Sequence, residues 1–532
     1  MGIMDDFDPA TDGWSFQNWG EDGIYCIGAC DLSWDLYRQA YLGINPTHDC
    51  VEAPLDCAFY EGFKIIGKEG NCGGMSLLAL AVFKYGGYMG FCSPASFYTG
   101  VANPAGFPQP DGSVIPDWRC TDREDLHRAI NILQARQFSA GGIENFLDVV
   151  DAGNLNNAVE AFERVKDLLA SGDYPLLSIA TSTFAEAAHT VIPFAYDENP
   201  AGYPAGTHVL HIWDPNHPYP QDPAHYQGTG PGTPFHMVIR SATDWAYTSA
   251  TRLYPNGSDG WCFVVPMSAI LGKKRQPAAL DMVFDALMTA FISGPAAAVM
   301  QVTDGEGHQL YSSDGEHLRR GDLETDSALR LKGVGRWPWY GGTGKGELPG
   351  ELYFMRRRHG ASELQFQISG STYRLMAATA GHLVEIEVES AQRSADLVRV
   401  SRLGTAACAV EIEALEQPRQ VKVRQLRSDV LGGEWKSVEV RSKEVGRSGL
   451  ALRAVGDLEA VEVSSRDRAV QFDLEVAQRR EGVVSRLPAT GLSTVRERAL
   501  HVAPVDWQHL DRSELRVIER SSAVTLPKHL EG

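Results

Sequence analysis

The chain has 532 residues, 43% of them hydrophobic and 22% charged, which describes about three ordinary globular domains and excludes a fibre or a disordered chain. Its formal net charge of −20 argues against a nucleic-acid partner, because phosphate binding needs a basic face. The acidity is concentrated in Met1–Leu280, with 15 Lys and Arg against 32 Asp and Glu; the remainder is nearly balanced, and solubility is the plainest reading of the imbalance.

The first residues, MGIMDDFDPATDGW, carry neither a basic stretch nor an apolar one, so they do not read as a classical signal peptide. No run approaches about 18 apolar residues, so no membrane span is expected. A cytoplasmic protein, or one exported by a route without a classical signal, follows. Cys26, Cys30, Cys50 and Cys57 cluster without a zinc-binding spacing. They read as mostly reduced, buried thiols, with one or two disulfides among the four as the rival reading.

Met75–Tyr85 (MSLLALAVFKY) is apolar almost all round, which predicts a centrally buried helix stopped by Gly86 and Gly87. Thr121 and Glu124 form a T-x-x-E pattern that predicts a capped helix running to about Gln137. A further helix is expected from about Leu155 to Ala170, closed by Gly172. YPLLSIAT from Tyr174, AAHTVIPFAY and THVLHIW then read as strands. Helices first and an antiparallel sheet afterwards make an α+β layout.

Beyond Leu280 the pattern changes to period-two alternation, in AVMQV, ELQFQIS, TYRLMAA, LVEIEVES, LVRVSR, VKVRQLR and VQFDLEV. Such runs, separated by turn residues, predict antiparallel strands and all-β, sandwich-like modules. The expected domains are therefore 1–280, α+β, followed by β-rich modules at 281–385 and 386–532.

Chemistry concentrates in the first domain. Cys72, in GKEGNCGGMS, stands at the expected start of the buried helix. A helix N-terminus offers unpaired N–H groups and a positive dipole end, which favour the thiolate, the nucleophilic form. Gly70, Gly73 and Gly74 would let a substrate backbone approach. Farther on, AHTVIPFAY and THVLHIWDPN flank the turn-rich DENPAGYPAG. A hairpin centred near Ala201–Gly202 would set His189 opposite Asp214, close enough for an imidazole–carboxylate hydrogen bond. His208 and His211 are three apart on a strand and point to opposite faces, so no shared metal is expected.

These residues together resemble the papain-like cysteine peptidases, closest to bacterial branches with C-x-G-M-S around the nucleophile. The lead-in Gly172–Ser178 also resembles C39-like peptidases. The resemblance covers the N-terminal half, about Gly13–Met267. It implies a papain-like catalytic domain: a helical lobe led by the nucleophile helix, and a β lobe carrying the base. It implies Cys72 as nucleophile, His189 as general base and acid, and Asp214 as the orienting residue, with Asn216 a weaker candidate for that place. A side-chain amide ahead of the cysteine is also implied, to hold the oxyanion. The usual short spacing falls on Ile66, so Gln17 or Asn18, in WSFQNWG, or Asn71 would have to supply it.

The function implied is a thiol-dependent peptidase acting through a Cys-His-Asp triad and an acyl-enzyme. Two alternatives stand beside it. One is another acyl-transfer enzyme on the same triad, such as a transglutaminase, deamidase or acyltransferase. The other is a catalytically silent binding protein that uses its β modules. No cofactor is called for. The expected partners are a protein or peptide substrate and a protein target bound by the β modules.

Overall fold

The computed structural model describes residues 2–4, 6–19, 32–102, 107–108, 114–115, 119–180, 188–217, 235–248, 253–254, 261–272, 274–284, 288–294, 298–305, 307–313, 318–319, 335–337, 350–355, 363–429, 433–466, 468–496 and 498–521. The chain forms two compact units. One comprises Met1–Pro46, Phe59–Leu280 and Gly333–Glu351; the other comprises Thr47–Ala58, Asp281–Lys332 and Leu352–Gly532.

Helices and one large antiparallel sheet dominate the first unit. Its longer helices are α1 (Pro54–Glu69, of which 59–69 fall in this unit), α2 (Cys72–Tyr85), α3 (Glu124–Arg136), α4 (Ala140–Asp151) and α5 (Ala158–Ser171). Helix α2 is the apolar one expected from the sequence, with Gly73–Val82 buried throughout, and Gly86 ends it at φ 65°. Helix α5 ends on Gly172 at φ 70°. Both caps sit in the left-handed region that glycine enters without a side-chain penalty.

Helix α3 departs from the expected capping box. It starts at Glu124 with Arg123 as N-cap and no side-chain cap bond, and the Thr121 hydroxyl accepts from the Arg123 N–H at 3.3 Å instead. Helix α4 was not foreseen. Its first turn is Ala-Gly-Gly, which has low helix propensity, but the Ser139 hydroxyl caps it by accepting from the Gly142 N–H.

The sheet contains β1 (Gly2–Ile3), β2 (Pro175–Ala180), β3 (Ala188–Glu198), β4 (His208–Trp213), β5 (His236–Ile239), β6 (Trp245–Thr248), β7 (Leu253–Tyr254) and β8 (Trp261–Pro266). Strand order is β7-β6-β5-β4-β3-β2-β8, with β1 added on β3. One face is covered by α5, whose Ala161, Phe162, Val165 and Leu168 pack into a core with Leu177, Ile179, Val191, Leu210, Ile212 and Met237.

The second unit is dominated by antiparallel strands. One series of paired strands runs Met288–Ser293, Tyr373–Thr379, His382–Glu389, Arg419–Asp429, Glu434–Val445, Gln471–Arg480 and Val483–Ser493. The other includes, in pairing order, Ala298–Asp304, Glu363–Gly370, Ser394–Ser401, Ala409–Ala414 and Leu450–Val455. The two stretches expected at 281–385 and 386–532 thus contribute strands to the same two sheets. Arg419 ties strands of both sheets together, bonding the Asp396 carboxylate at 3.2 Å and the carbonyls of Gly370 and Gln392.

Cys50 and Cys57 form a disulfide, and Cys120 is also disulfide-bonded. The rival reading of the cysteine cluster therefore holds for Cys50 and Cys57, while Cys26 and Cys30 lie outside the described residues. No helix among the described residues is long and apolar enough to cross a membrane.

Candidate active site

Three elements of the first unit converge. Cys72 is the first residue of α2 and is half-buried. His189 is the second residue of β3, and Asp214 follows the last residue of β4. Helix α2 is held to β3 by two bonds. The Thr190 N–H points at the Cys72 sulfur at 3.4 Å, and the Ser76 hydroxyl donates to the Thr190 carbonyl at 3.2 Å. Cys72 thus lies against the backbone of the residue that follows His189.

His189 and Asp214 are in direct contact. The His189 Nε2 stands 2.6 Å from the Asp214 Oδ1, and both side chains are fully buried. The pairing is not the directly opposed one expected. Strands β3 and β4 pair Leu210 with Tyr196 and His211 with Ala195, and the register shifts at a bulge between His211 and Ile212, so Trp213 meets Ile192. The connecting loop is longer and later than a turn at Ala201–Gly202. It closes where the Asn199 N–H donates to the Thr207 carbonyl, with Asn199 at φ 49°, Gly202 at φ 89° and Gly206 at φ 84°. On the other edge His189 pairs with Ile179. The ring reaches Asp214 obliquely, past the bulge.

Asp214 is fully buried but well supplied with donors. Its Oδ1 also accepts from the Asn216 N–H at 2.8 Å, and its Oδ2 accepts from the Tyr247 hydroxyl at 2.6 Å. Burial alone would raise this carboxyl; the nearby His189 and His217 and the hydrogen bonds from His189 and Tyr247 outweigh it and hold Asp214 well below the usual carboxylate range. A charged carboxylate at this place fixes the imidazole's orientation and favours its protonated form. Asn216 meets Asp214 through its backbone N–H, and the carboxylate in contact with the His189 ring is that of Asp214.

The amide candidates separate. Asn71 is fully buried, and its Nδ2 donates to the carbonyls of Trp19 and Gly67. Gln17 is 4% exposed and Asn18 is 6% exposed. Asn18 bridges the two halves of the site. Its Oδ1 accepts from the N–H groups of Trp19 and Asn71, and its own N–H donates to the Pro215 carbonyl. Its Nδ2 faces Gly70, where a Cβ would lie only 3.1 Å away.

Of the three glycines around Cys72, Gly74 has a packing use. A Cβ on Gly74 would stand 2.2 Å from the Ile130 carbonyl, and the Gly74 N–H donates to Gln134 Oε1 at 2.6 Å. Gly74 therefore lets α2 and α3 pack closely.

No protein-family model, curated protein or solved structure matches this chain. The site is thus read from its own geometry. Sequence reasoning missed Tyr247. It lies 33 residues from Asp214 in a four-residue strand, and nothing in WAYT marks its hydroxyl as aimed at a carboxylate.

The other histidines are accounted for locally. His208 stacks on Phe162, and His211 Nε2 is bonded to Asp197 at 2.9 Å. His236, against the His211 ring, is pushed down to about 4 by burial and by repulsion from His211.

Proposed function

We propose that this chain is a thiol peptidase with a papain-like catalytic domain, hydrolysing peptide bonds through an acyl-enzyme on Cys72. The observation that carries the reading is the buried His189–Asp214 contact of 2.6 Å, with His189 on the strand whose next residue, Thr190, meets the Cys72 sulfur.

The chemistry follows from those positions. With Nε2 turned to Asp214, Nδ1 is the ring nitrogen that exchanges protons on the Cys72 side. His189 takes the thiol proton, and the Cys72 sulfur attacks the scissile carbonyl. The resulting oxyanion is met by the Cys72 N–H and by the Asn18 Nδ2, the amide at the helix start left outside the Asn18 hydrogen bonds. The imidazolium then gives its proton to the leaving amine. Water, deprotonated by His189, attacks the thioester and frees the acid and Cys72. Asp214 keeps the imidazole oriented and supports its positive charge throughout.

The β-rich second unit is proposed to bind a protein target or position substrate. The Cys50–Cys57 disulfide supports the exported of the two expected locations, since disulfides persist in oxidising compartments.

The test is hydrolysis of a mixed peptide library, read by mass spectrometry for new amino termini. Cys72→Ala and His189→Ala should each lower the rate by about three orders of magnitude or more with the fold retained, and Asp214→Ala by less. Equal rates for wild type and Cys72→Ala would remove the proposal. Loss of the activity in Cys72→Ala together with amine incorporation in place of new termini would move it to acyl transfer.

A further inference from the structure

We propose that Tyr247 is a positioning residue of this site, acting on Cys72 through Asp214 and His189; the inference rests on the peptidase reading above.

The hydroxyl of Tyr247 donates to Asp214 Oδ2 at 2.6 Å, on the carboxylate oxygen that His189 does not use. Tyr247 and Asp214 are both completely buried. A carboxylate gripped at one oxygen only can turn about its Cβ–Cγ bond, and the imidazole bonded to it turns as well. Gripped at both oxygens, it presents one fixed edge. The two oxygens of Asp214 are held from opposite sources: Oδ1 by His189 and the Asn216 N–H, Oδ2 by Tyr247.

Tyr247 is itself rigidly placed. It sits on β6, where it pairs with Met237 of β5, and the turn between them is closed by the Arg240 N–H donating to the Asp244 carbonyl. The neighbouring Trp245 is anchored by its Nε1 to the Asn156 side chain. The ring of Tyr247 belongs to the apolar core with Leu210, Ile212 and Met237. Phenylalanine would satisfy that core equally well. The hydroxyl is the only polar atom of this side chain, and it donates to the carboxylate bonded to the candidate base. An aromatic ring with two side-chain torsions, locked in a core and tipped by a donor, is a stiff support for a buried anion.

The role is read by alkylating Cys72 with iodoacetamide and following that cysteine by mass spectrometry, near pH 6 and near pH 9. Near pH 6 the thiolate depends on an oriented imidazolium; near pH 9 the solvent supplies it regardless. Tyr247→Phe should slow Cys72 alkylation about threefold to thirtyfold near pH 6 and leave it nearly unchanged near pH 9. The same substitution in an Asp214→Ala background should add nothing further, because the route through the carboxylate is already gone. A disturbed fold gives a different pattern: greater access and faster labelling at both pH values. If Tyr247→Phe alone is too unstable to purify, 3-fluorotyrosine installed at position 247 strengthens the donor and should label faster than wild type near pH 6. Unchanged alkylation near pH 6 in folded Tyr247→Phe, or a rate that 3-fluorotyrosine leaves unchanged, would show that the hydroxyl serves the core alone. Wild-type Cys72 that labels near pH 6 no faster than a simple thiol would overturn the peptidase reading and this role together, whereas a fast wild type with an unaffected variant overturns only the role of Tyr247.

Discussion

Asp214 shows how single side chains decide the chemistry. An isolated carboxylate with no exposure would become neutral, because burial penalises charge. Here the pull of His189 and His217 and the Tyr247 and His189 hydrogen bonds outweigh burial, so the group stays ionised. The sign of its contribution to stability follows. A carboxyl whose folded value lies below its unfolded one, near 3.9, stabilises the fold above that pH, and the stabilisation is lost as acid is added toward the folded value. Between pH 5 and pH 3 the wild type should therefore lose about 2–5 °C more in Tm than Asp214→Asn, followed by circular dichroism. Parallel losses in the two proteins would mean that Asp214 is not held ionised by the fold.

At the scale of elements, what was legible in the sequence and what was not divide along physical lines. Helix α2 was legible because a fully apolar stretch ended by two glycines has few other solutions, and Cys72 was expected just ahead of it and is its first residue. The partnership of His189 and Asp214 was legible from two strand-like runs around a turn, but its register was not. Register is set by loop conformation and by a bulge, here at Asn199–Thr207 and at His211/Ile212, and neither has a clear sequence mark. Helix α4 was hidden by its Ala-Gly-Gly start. Tyr247 was hidden because a hydroxyl's partner two strands away leaves no local pattern. The glycines after Cys72 were visible, but their purpose depended on which helix lay opposite. That purpose can be checked. Gly74→Ala would drive a methyl to 2.2 Å from the Ile130 carbonyl, so it should cost about 1–3 kcal/mol in urea unfolding, whereas an overpacked but yielding site would cost almost nothing.

At the scale of the whole molecule, the thiols differ in ways that the architecture explains. Cys262 and Cys408 are buried in strand-rich cores; burial pushes the Cys262 thiol far up and the Cys408 thiol up to about 12, and both should resist reagents while the protein is folded. Cys50, Cys57 and Cys120 are consumed in disulfides. Cys92 is free and exposed, and it has no helix of its own behind it. It is a built-in reference for Cys72, which is less exposed but stands at a helix start beside the His189 strand. Reactivity set by exposure alone would make Cys92 the faster of the two; reactivity set by a catalytic pair would make it Cys72. The deciding measurement is the alkylation rate of each free cysteine at pH 6.5 in the native protein, resolved by peptide mass spectrometry. Cys72 should label about tenfold or more faster than Cys92, and His189→Ala should erase that advantage. A Cys72 that labels no faster than Cys92, or one whose rate is untouched by His189→Ala, would contradict the assignment of Cys72, His189 and Asp214 as a working catalytic triad.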